Sequence, residues 1–327
     1  MHYKCNNCGG SMVYSPAEDV LYCPHCEGRN CGVLVSQKDM DVCPVCGAPV
    51  EAGDFGSAMQ CGNCGTYLIL ENRVEDSYRP QKIIPFKITK EQAVESIRKE
   101  FGGRPFIPRP FTDHKALMGI EGVYVPYWLH DYNSVERFTG TGQRVRMWTH
   151  GDMQFRETSY FEVIREIGVD FDNVPADASD RMDDDLMDMI EPYNYDQMTD
   201  FSPEFMAGFN GEIYNRPSQE YVIRSRTKAD KAIRKITDDT IHGYAVVTPT
   251  SQNIDARKVK EQYVLLPVYK YTYRFGGKNY DIFVNGQTGK IAGEAPTSVG
   301  LAAKYTIATF GLGFLFLMFA GSIAAML

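Results

Sequence analysis

The chain opens on CNNCG (5–9) and CPHCE (23–27), and it repeats the pattern in CPVCG (43–47) and CGNCG (61–65). Each segment holds two cysteines that are two residues apart, and all four cysteines of the second half follow those of the first by 38 residues. Two cysteines at this spacing bind one zinc ion from a single turn, and two such turns complete a tetrahedral shell of four sulfurs. The spacing therefore predicts two consecutive zinc ribbons.

Ribbon 1 is predicted over 1–32 and ribbon 2 over 38–70. The expected metal ligands are Cys5, Cys8, Cys23 and Cys26 in ribbon 1, and Cys43, Cys46, Cys61 and Cys64 in ribbon 2. Four thiolates fill a zinc shell and leave no position for water, so we expect two structural Zn²⁺ ions and no catalytic one. A rival arrangement joins the second and third cysteine pairs, but the constant offset favours the sequential pairing.

Cysteine usage also indicates the redox compartment. All nine cysteines precede residue 65, and the N-terminal residues MHYKCNNCGG do not resemble a signal peptide. Paired cysteines without an export signal are typical of zinc sites in a reducing cytosol. Cys31 stands outside the repeat, either as a spare thiol beside ribbon 1 or as a redox sensor.

The composition limits the function classes. The chain has 327 residues, enough for two or three domains, and a net charge of −8. An acidic chain is not expected to coat DNA or RNA, although a local basic patch could still bind it. Twenty tyrosines and eighteen phenylalanines favour a folded, β-rich body over a disordered scaffold.

The C-terminal 23 residues, 305–327, carry no charge. As a helix they would extend roughly 34 Å, enough to cross a hydrocarbon core. We therefore expect a transmembrane helix over 301–327, with a buried core helix as the alternative. Lys290 and Lys304 precede it, which predicts a single-pass cell-membrane protein whose bulk is cytoplasmic. Small residues spaced four apart in this segment would also allow oligomerisation through the tail.

Between these ends, a linker is expected over 71–81 and an α+β body over 82–298. Thr89 and Gln92 form a capping-box pattern that predicts a helix, and Gly102 ends it. A β-rich region follows over 122–172, and a second helix is expected over 218–240. The fold class is thus multidomain: two small β zinc ribbons, an α+β body and a C-terminal transmembrane helix.

Two charged segments allow two interpretations each. The aspartates of 180–188 could bind Ca²⁺ or Mg²⁺, but their spacing fits no EF-hand loop and favours the acidic start of a helix. The basic helix over 218–240 could bind anionic lipid or nucleic acid, or it could be a solvated face.

The segment GQTGK (286–290) lacks the spacing of a phosphate loop and predicts a hairpin turn. No catalytic constellation is recognisable, and no catalytic or cofactor-binding residue is predicted.

Together with the ribbons and the hydrophobic end, five body segments carry a resemblance. They are IIPFKITKEQA (83–93), GVYVPYWLHD (122–131), MDDDLMDMIEPYNY (182–195), LLPVYKYTY (265–273) and FVNGQTGKIAGEAP (283–296). The chain resembles a family of bacterial membrane-associated proteins with N-terminal TFIIB-type zinc ribbons, often mislabelled as primosomal or helicase-like. The resemblance implies a scaffold role beside SPFH-domain (stomatin/flotillin-like) membrane proteins in phage-shock-type envelope stress. It places the eight ribbon cysteines at the family's metal ligands.

The leading hypothesis is a membrane-anchored zinc-ribbon adaptor that recruits protein partners, including SPFH-domain proteins, at the cytoplasmic membrane face, and that is not an enzyme. The alternative is a membrane-tethered protein whose ribbons bind nucleic acid. Residues 1–64 hold only three lysines and arginines against seven acidic residues, which disfavours the alternative. A third hypothesis is an enzyme whose ligand site lies hidden in the body.

Overall fold

A computed structural model describes residues 1–37, 40–75 and 78–324, without the side chains of 316, 317 and 319–324. Fourteen strands form within these ranges. They are β1 (His2–Cys5), β2 (Val13–Ser15), β3 (Val20–Tyr22), β4 (Gly32–Val35), β5 (Gly56–Gln60), β6 (Tyr67–Ile69), β7 (Lys82–Ile83), β8 (Glu121–His150), β9 (Met153–Asp177), β10 (Thr199–Asp200), β11 (Asn210–Glu212), β12 (Val246–Phe275), β13 (Lys278–Asn285) and β14 (Ile291–Gly293).

Six α-helices accompany the strands in the described ranges. They are α1 (Glu71–Val74), α2 (Lys90–Phe101), α3 (His114–Leu117), α4 (Asp184–Met189), α5 (Ser218–Asp238) and α6 (Val299–Ala324). In α2 the predicted capping box is present: Gln92 N–H donates to the Thr89 hydroxyl, and Thr89 N–H donates to the Gln92 side chain. The predicted basic helix is α5.

One mixed sheet organises the body. Its strand order is β10–β7–β12–β8–β11–β5–β6, with β9 added to β8, and with β13 and β14 added beyond β12. Only the β7–β12 and β8–β11 pairs are parallel among the pairings described. The similar segments VYVPYW and VLLPVY lie opposite each other in the β8–β12 ladder, where Pro126 pairs with Leu265.

The body end of this sheet is covered on both faces. On one face Phe86 stacks on Phe209 with ring centroids 4.0 Å apart, and Tyr124 meets the Phe86 ring edge-on. On the other face Tyr127 packs near Tyr193 in a second buried cluster. Continuous burial of Val123–Tyr127 is expected for a strand that lies between two cores.

Farther along, β8, β9 and β12 leave the body as a three-stranded extension. We call the arm residues 131–171 of β8 and β9 with residues 246–260 of β12. About 20 residues each of β8 and β9 give it a length of roughly 65 Å, and β12 accompanies them from the root as far as Gln143. Helix α5 covers one face of its first half, where Ser225, Ala229, Ile233 and Thr237 form a small-residue stripe against the sheet. The other face carries polar side chains and is solvated.

Buried polar groups fix α5 on the arm. Thr237 donates to the buried carboxylate of Glu136, which also accepts a hydrogen bond from Gln252 at 2.6 Å. Ser225 Oγ lies 2.9 Å from His130 Nδ1 and 2.8 Å from the Tyr132 hydroxyl. Burial lowers the pKa of His130 to about 4, so this histidine is a neutral structural residue.

Two register shifts occur at the root of the arm, at one level on both sides of β8. The β8–β9 ladder shifts between His130 and Tyr132, and the β8–β12 ladder shifts between Lys258 and Lys260. Val259 is the unpaired residue of the second shift and is 70% exposed. Such bulges bend a sheet and increase its twist, so they set the direction in which the arm leaves the body.

The aspartate-rich segment forms α4, with Asp183 as its N-cap. Arg224 on α5 reaches the carboxylates of Asp177 (2.5 Å), Asp184 (2.6 Å) and Asp188 (2.5 Å). Lys228 lies 2.8 Å from both Asp188 and Glu191. The acidic helix and the basic helix therefore neutralise each other, which is a structural role for both.

The predicted α+β fold class of the body is wrong, because the described body is mostly β with few helices. The β-rich region expected over 122–172 is formed by only two strands, β8 and β9, and residues 246–275 form the single strand β12. Each of these three strands is far longer than the usual five or six residues. Strand length, and not an added helical layer, accounts for most of the ordered residues.

The predicted transmembrane helix over 301–327 is also wrong. Helix α6 forms, but within the described part of the chain no helix combines the length and apolarity that a membrane crossing requires. Residues 325–327 lie outside the described ranges. The single-pass membrane localisation inferred from this helix is wrong with it.

Candidate metal centres

Four turns with the same backbone geometry present the cysteines. In each, the N–H of the first cysteine donates to the carbonyl five residues later, as Cys5 does to Gly10 at 2.8 Å. The residue after the second cysteine then donates back to the first carbonyl, as Gly9 does at 2.9 Å. This residue has positive φ in all four turns: Gly9 (77°), Glu27 (59°), Gly47 (74°) and Gly65 (74°). Glycine suits three of these positions, and Glu27 adopts the conformation without being glycine.

The turns bring the sulfurs into two groups of four. In each group all ligand atoms lie within 4.8 Å of one another: Cys5, Cys8, Cys23 and Cys26, and Cys43, Cys46, Cys61 and Cys64. The rival pairing of the second and third cysteine pairs is not the one adopted. Among the described residues no other group of histidines, cysteines or acids meets this criterion.

The sulfur separations fit a zinc tetrahedron. Zn–S bonds of about 2.3 Å at tetrahedral angles place neighbouring sulfurs about 3.8 Å apart. The Cys5–Cys26 and Cys8–Cys23 separations are 3.5 Å, and the Cys43–Cys64 and Cys46–Cys61 separations are 3.7 Å. Both donor sets are therefore consistent with a structural zinc ion, two for the chain, as the cysteine spacing predicted.

Hydrogen bonds to sulfur favour the thiolate form at one cysteine of each group, whereas burial raises the pKa of Cys43 to about 11. The Cys8 backbone N–H is the main cause that lowers the pKa of Cys5 to about 6. The Asn63 side chain is the main cause that lowers the pKa of Cys46 to about 6. The sequence prediction did not include Asn63, whose only signal is a polar residue between two ligands. In each turn the first cysteine is buried and the second is exposed, so each group of four sulfurs has a buried side and a solvent-facing side.

Cys31 lies next to the first centre. Its Sγ is 3.5 Å from Cys5 Sγ, but it is not a member of the group of four. Gly28 lies beside it, at a position where a Cβ atom would be 2.7 Å from the Cys31 sulfur. A side chain at residue 28 would therefore displace this fifth thiol.

The two ribbons are clamped to each other. Ile69 N–H donates to the Met1 carbonyl at 2.8 Å, and the Ser11 and Thr66 hydroxyls lie 3.0 Å apart. Met1, Cys5 and Cys23 also belong to the same buried cluster as the body residues Phe86 and Tyr124.

Both ribbons also join the body through the main chain. In ribbon 2, Ala58 of β5 pairs with Gly211 of β11, so the ribbon hairpin β5–β6 extends the body sheet. In ribbon 1, Tyr14 N–H donates to the Ala207 carbonyl at 2.7 Å, and the Tyr14 ring meets Phe205 edge-on. Each metal centre therefore lies in a ribbon whose surface is continuous with that of the body.

A cleft of about 1100 Å³ opens where the ribbons meet the body. Ribbon residues line one part of it, and the start of α2 and strands β8, β11 and β12 line the rest. Its charged residues have both signs, including Lys90, Arg181, Lys270, Glu121 and Glu212. A mixed lining of this kind suits a polypeptide surface better than a small apolar ligand.

The far end of the arm carries arginines that lie over aromatic rings. The Arg144 guanidinium is 4.8 Å from the Phe161 ring centre and 5.1 Å from that of Tyr244. Arg146 lies 5.5 Å from the Trp148 ring, which stacks on a phenylalanine of β9. The sequence prediction did not include this cluster, because its members come from separate segments of the chain and share no motif.

No protein-family model and no solved structure matches the chain. A similar sequence is the uncharacterised protein YdjG of Bacillus subtilis (strain 168), which is 33% identical over 315 residues, 93% of this chain and 92% of that protein. An alignment of this extent spans the greater part of the ribbons, the arm and the body.

Proposed function

This chain belongs to the same family as YdjG, and from its geometry we propose that it is a zinc-stabilised adaptor that recruits protein partners. The observation that carries the proposal is the double attachment of the two four-cysteine ribbons, to each other and to the body sheet. Metal binding then fixes the shape of one composite surface. Recognition by shape needs such a surface, because ordering it beforehand lowers the entropic cost of binding.

The composition of this surface supports a protein partner. Val42 and Val45 of ribbon 2 are 46% and 52% exposed, and other ribbon residues line a cleft with charges of both signs. Transient protein interfaces have such a mixed composition of apolar and polar surface. We propose no catalytic role, since four thiolates in each centre leave no ligand position for water. The partner class we propose is the SPFH-domain proteins that the sequence resemblance implies.

A crosslinking pull-down from cells tests the adaptor role. The full chain, Cys61→Ser and Cys31→Ser serve as baits, and captured proteins are identified by mass spectrometry. We expect an SPFH-domain protein with the wild type and with Cys31→Ser, and its loss with Cys61→Ser, because only the latter removes a ligand of a metal centre. Equal capture by Cys61→Ser would place recognition outside ribbon 2. Capture of other proteins alone would refute the partner class.

A second candidate function is binding of single-stranded nucleic acid, and the arginine–aromatic cluster of the arm favours it. Bases stack on exposed aromatic rings, and arginines bind the phosphates between them. The test is the affinity of labelled single strands for the full chain as salt increases. A salt-dependent affinity that weakens in Arg146→Ala and Trp148→Ala, but not in Lys260→Ala at the arm root, would support it. Affinity that is equal in all four proteins would refute it.

A further inference from the structure

The two outer edges of the arm differ in how they are protected. Strand β12 forms one edge over 246–262, and it carries Pro249, two register shifts and the cations Arg257, Lys258 and Lys260. Proline, bulges and lysines are the devices by which natural sheets prevent further strand pairing. This edge is therefore closed to another strand.

Strand β9 forms the other edge and lacks these devices. It pairs with β8 without a register shift from Met153 to Phe171, and it contains no proline in that stretch. Within it, the Ile164 carbonyl accepts a bond from the Arg165 guanidinium, and no other main-chain group has a described partner besides β8. An open edge about 19 residues long is a template for an added strand.

The exposed side chains of β9 also require a partner. Met153, Tyr160 and Ile164 are 62%, 66% and 60% exposed, and Phe155 and Phe161 are 38% and 39% exposed. Five large apolar side chains within twelve residues of an edge strand constitute an aggregation hazard when they remain uncovered. Their density favours a permanent partner.

The charge pattern of β9 is self-complementary. If a second β9 pairs antiparallel about Phe161, each residue i lies opposite residue 322 − i of the partner copy. Arg156 then lies opposite Glu166, and Glu157 lies opposite Arg165. The two copies of Phe161 face each other. No like charges meet, and directly opposed pairs of these kinds stabilise a sheet.

Changing the sum i + j by two keeps every side chain on the same face of the sheet, but these registers lose the charge complementarity. A shift to i + j = 324 places Glu162 opposite Glu162, and a shift to i + j = 320 places Arg165 opposite Phe155. In the favoured register the overlap covers 153–169 and ends within the arm, whose last β9 residue is Phe171. The pairing therefore involves the two arms alone.

We propose that two copies of this chain dimerise through β9, in this register, to form a continuous six-stranded sheet from two arms. The partner is a second copy, because the edge is complementary to itself in charge and places Phe161 opposite Phe161. This dimer is independent of the adaptor role and of any association through α6.

Charge reversal with rescue tests the proposal. The dimer dissociation constant of the full, zinc-loaded chain is measured by sedimentation velocity for the wild type, Arg156→Glu, Glu166→Arg and the double variant. Each single reversal places like charges together twice, and it should raise the dissociation constant about tenfold or more. The double variant restores opposite charges and should recover dimerisation. Lys260→Glu, on the closed edge, is the matched control and should leave the constant unchanged.

Circular dichroism establishes that each variant is folded. A wild-type chain that stays monomeric at the highest attainable concentration overturns the proposal. So does a dimer whose dissociation constant is equal in both single reversals and the wild type. Weakening in the single variants without recovery in the double variant rules out the proposed register.

Discussion

Loss of one ligand of ribbon 2 should release one zinc ion and unfold this ribbon while the arm stays folded. Cys61 is the most informative ligand, because it is buried, lies 3.7 Å from Cys46 and directly follows β5. The buried cluster of ribbon 2 contains only three large apolar side chains, those of Met40, Leu68 and Leu70. Their burial contributes at most about 9 kcal/mol, whereas a structural zinc ion contributes about 10–16 kcal/mol. The ion is thus the larger source of folding free energy.

The assay combines metal analysis with hydrogen exchange. In Cys61→Ser we expect one zinc per chain where the wild type binds two, and fast amide exchange over residues 40–70. Exchange should also accelerate in β11, which loses its β5 partner, while the β8–β12 ladder stays protected. Cys31→Ser is the control and should keep both ions. Two zinc ions in Cys61→Ser with unchanged exchange would refute the assignment, and lost protection throughout β8 would refute the independence of the arm.

Three further predictions concern the body. Arg224→Met should cost about 3–5 kcal/mol, because it leaves the buried Asp177 carboxylate without its cation. Burial raises the pKa of Asp177 to about 7, so the protonated form of Asp177 favours the folded state, and stability is lost as pH rises through that value. The free energy lost in Arg224→Met, measured by urea unfolding, should therefore be larger at pH about 8.5 than at pH about 6. Phe86→Ala should cost about 3–5 kcal/mol in the same assay by opening a cavity beside Phe209, and an unchanged midpoint would contradict the packing. Thr89→Ala should cost about 1 kcal/mol through loss of the α2 cap, with Thr89→Ser as the near-neutral control.

Features that depend on neighbouring residues were predictable from the sequence. The cysteine turns need only local hydrogen bonds and a residue with positive φ, so their spacing was sufficient to group the sulfurs. The same holds for α2, whose cap involves Thr89 and Gln92, and for the acidic start of α4 at Asp183.

Features that depend on distant pairing were not predictable. The attachment of ribbon 2 to the body rests on Ala58 opposite Gly211, two small residues 153 positions apart with no recognisable pattern. The length of β8, β9 and β12 was not predictable, because the polar residues of the solvated arm face resemble loops when they are read singly. The basic helix allowed an external ligand or a solvated face, whereas Arg224 and Lys228 bind acids of the same chain. Hydrophobicity alone likewise led to the wrong expectation for the C-terminal helix.

The paired bulges at the arm root restrict how the arm can change length among relatives. Deletion of Val259 would make Lys258 and Lys260 consecutive residues opposite Tyr132 and Asp131, which would restore a regular ladder and remove the bend that sets the direction of the arm. At the hairpin tip, by contrast, removal of two residues from β8 and two from β9 around Gly151 would shorten the arm and keep every side chain on its face. Homologous arms should therefore differ in length at their tips by even numbers of residues per strand, and should keep the root unchanged.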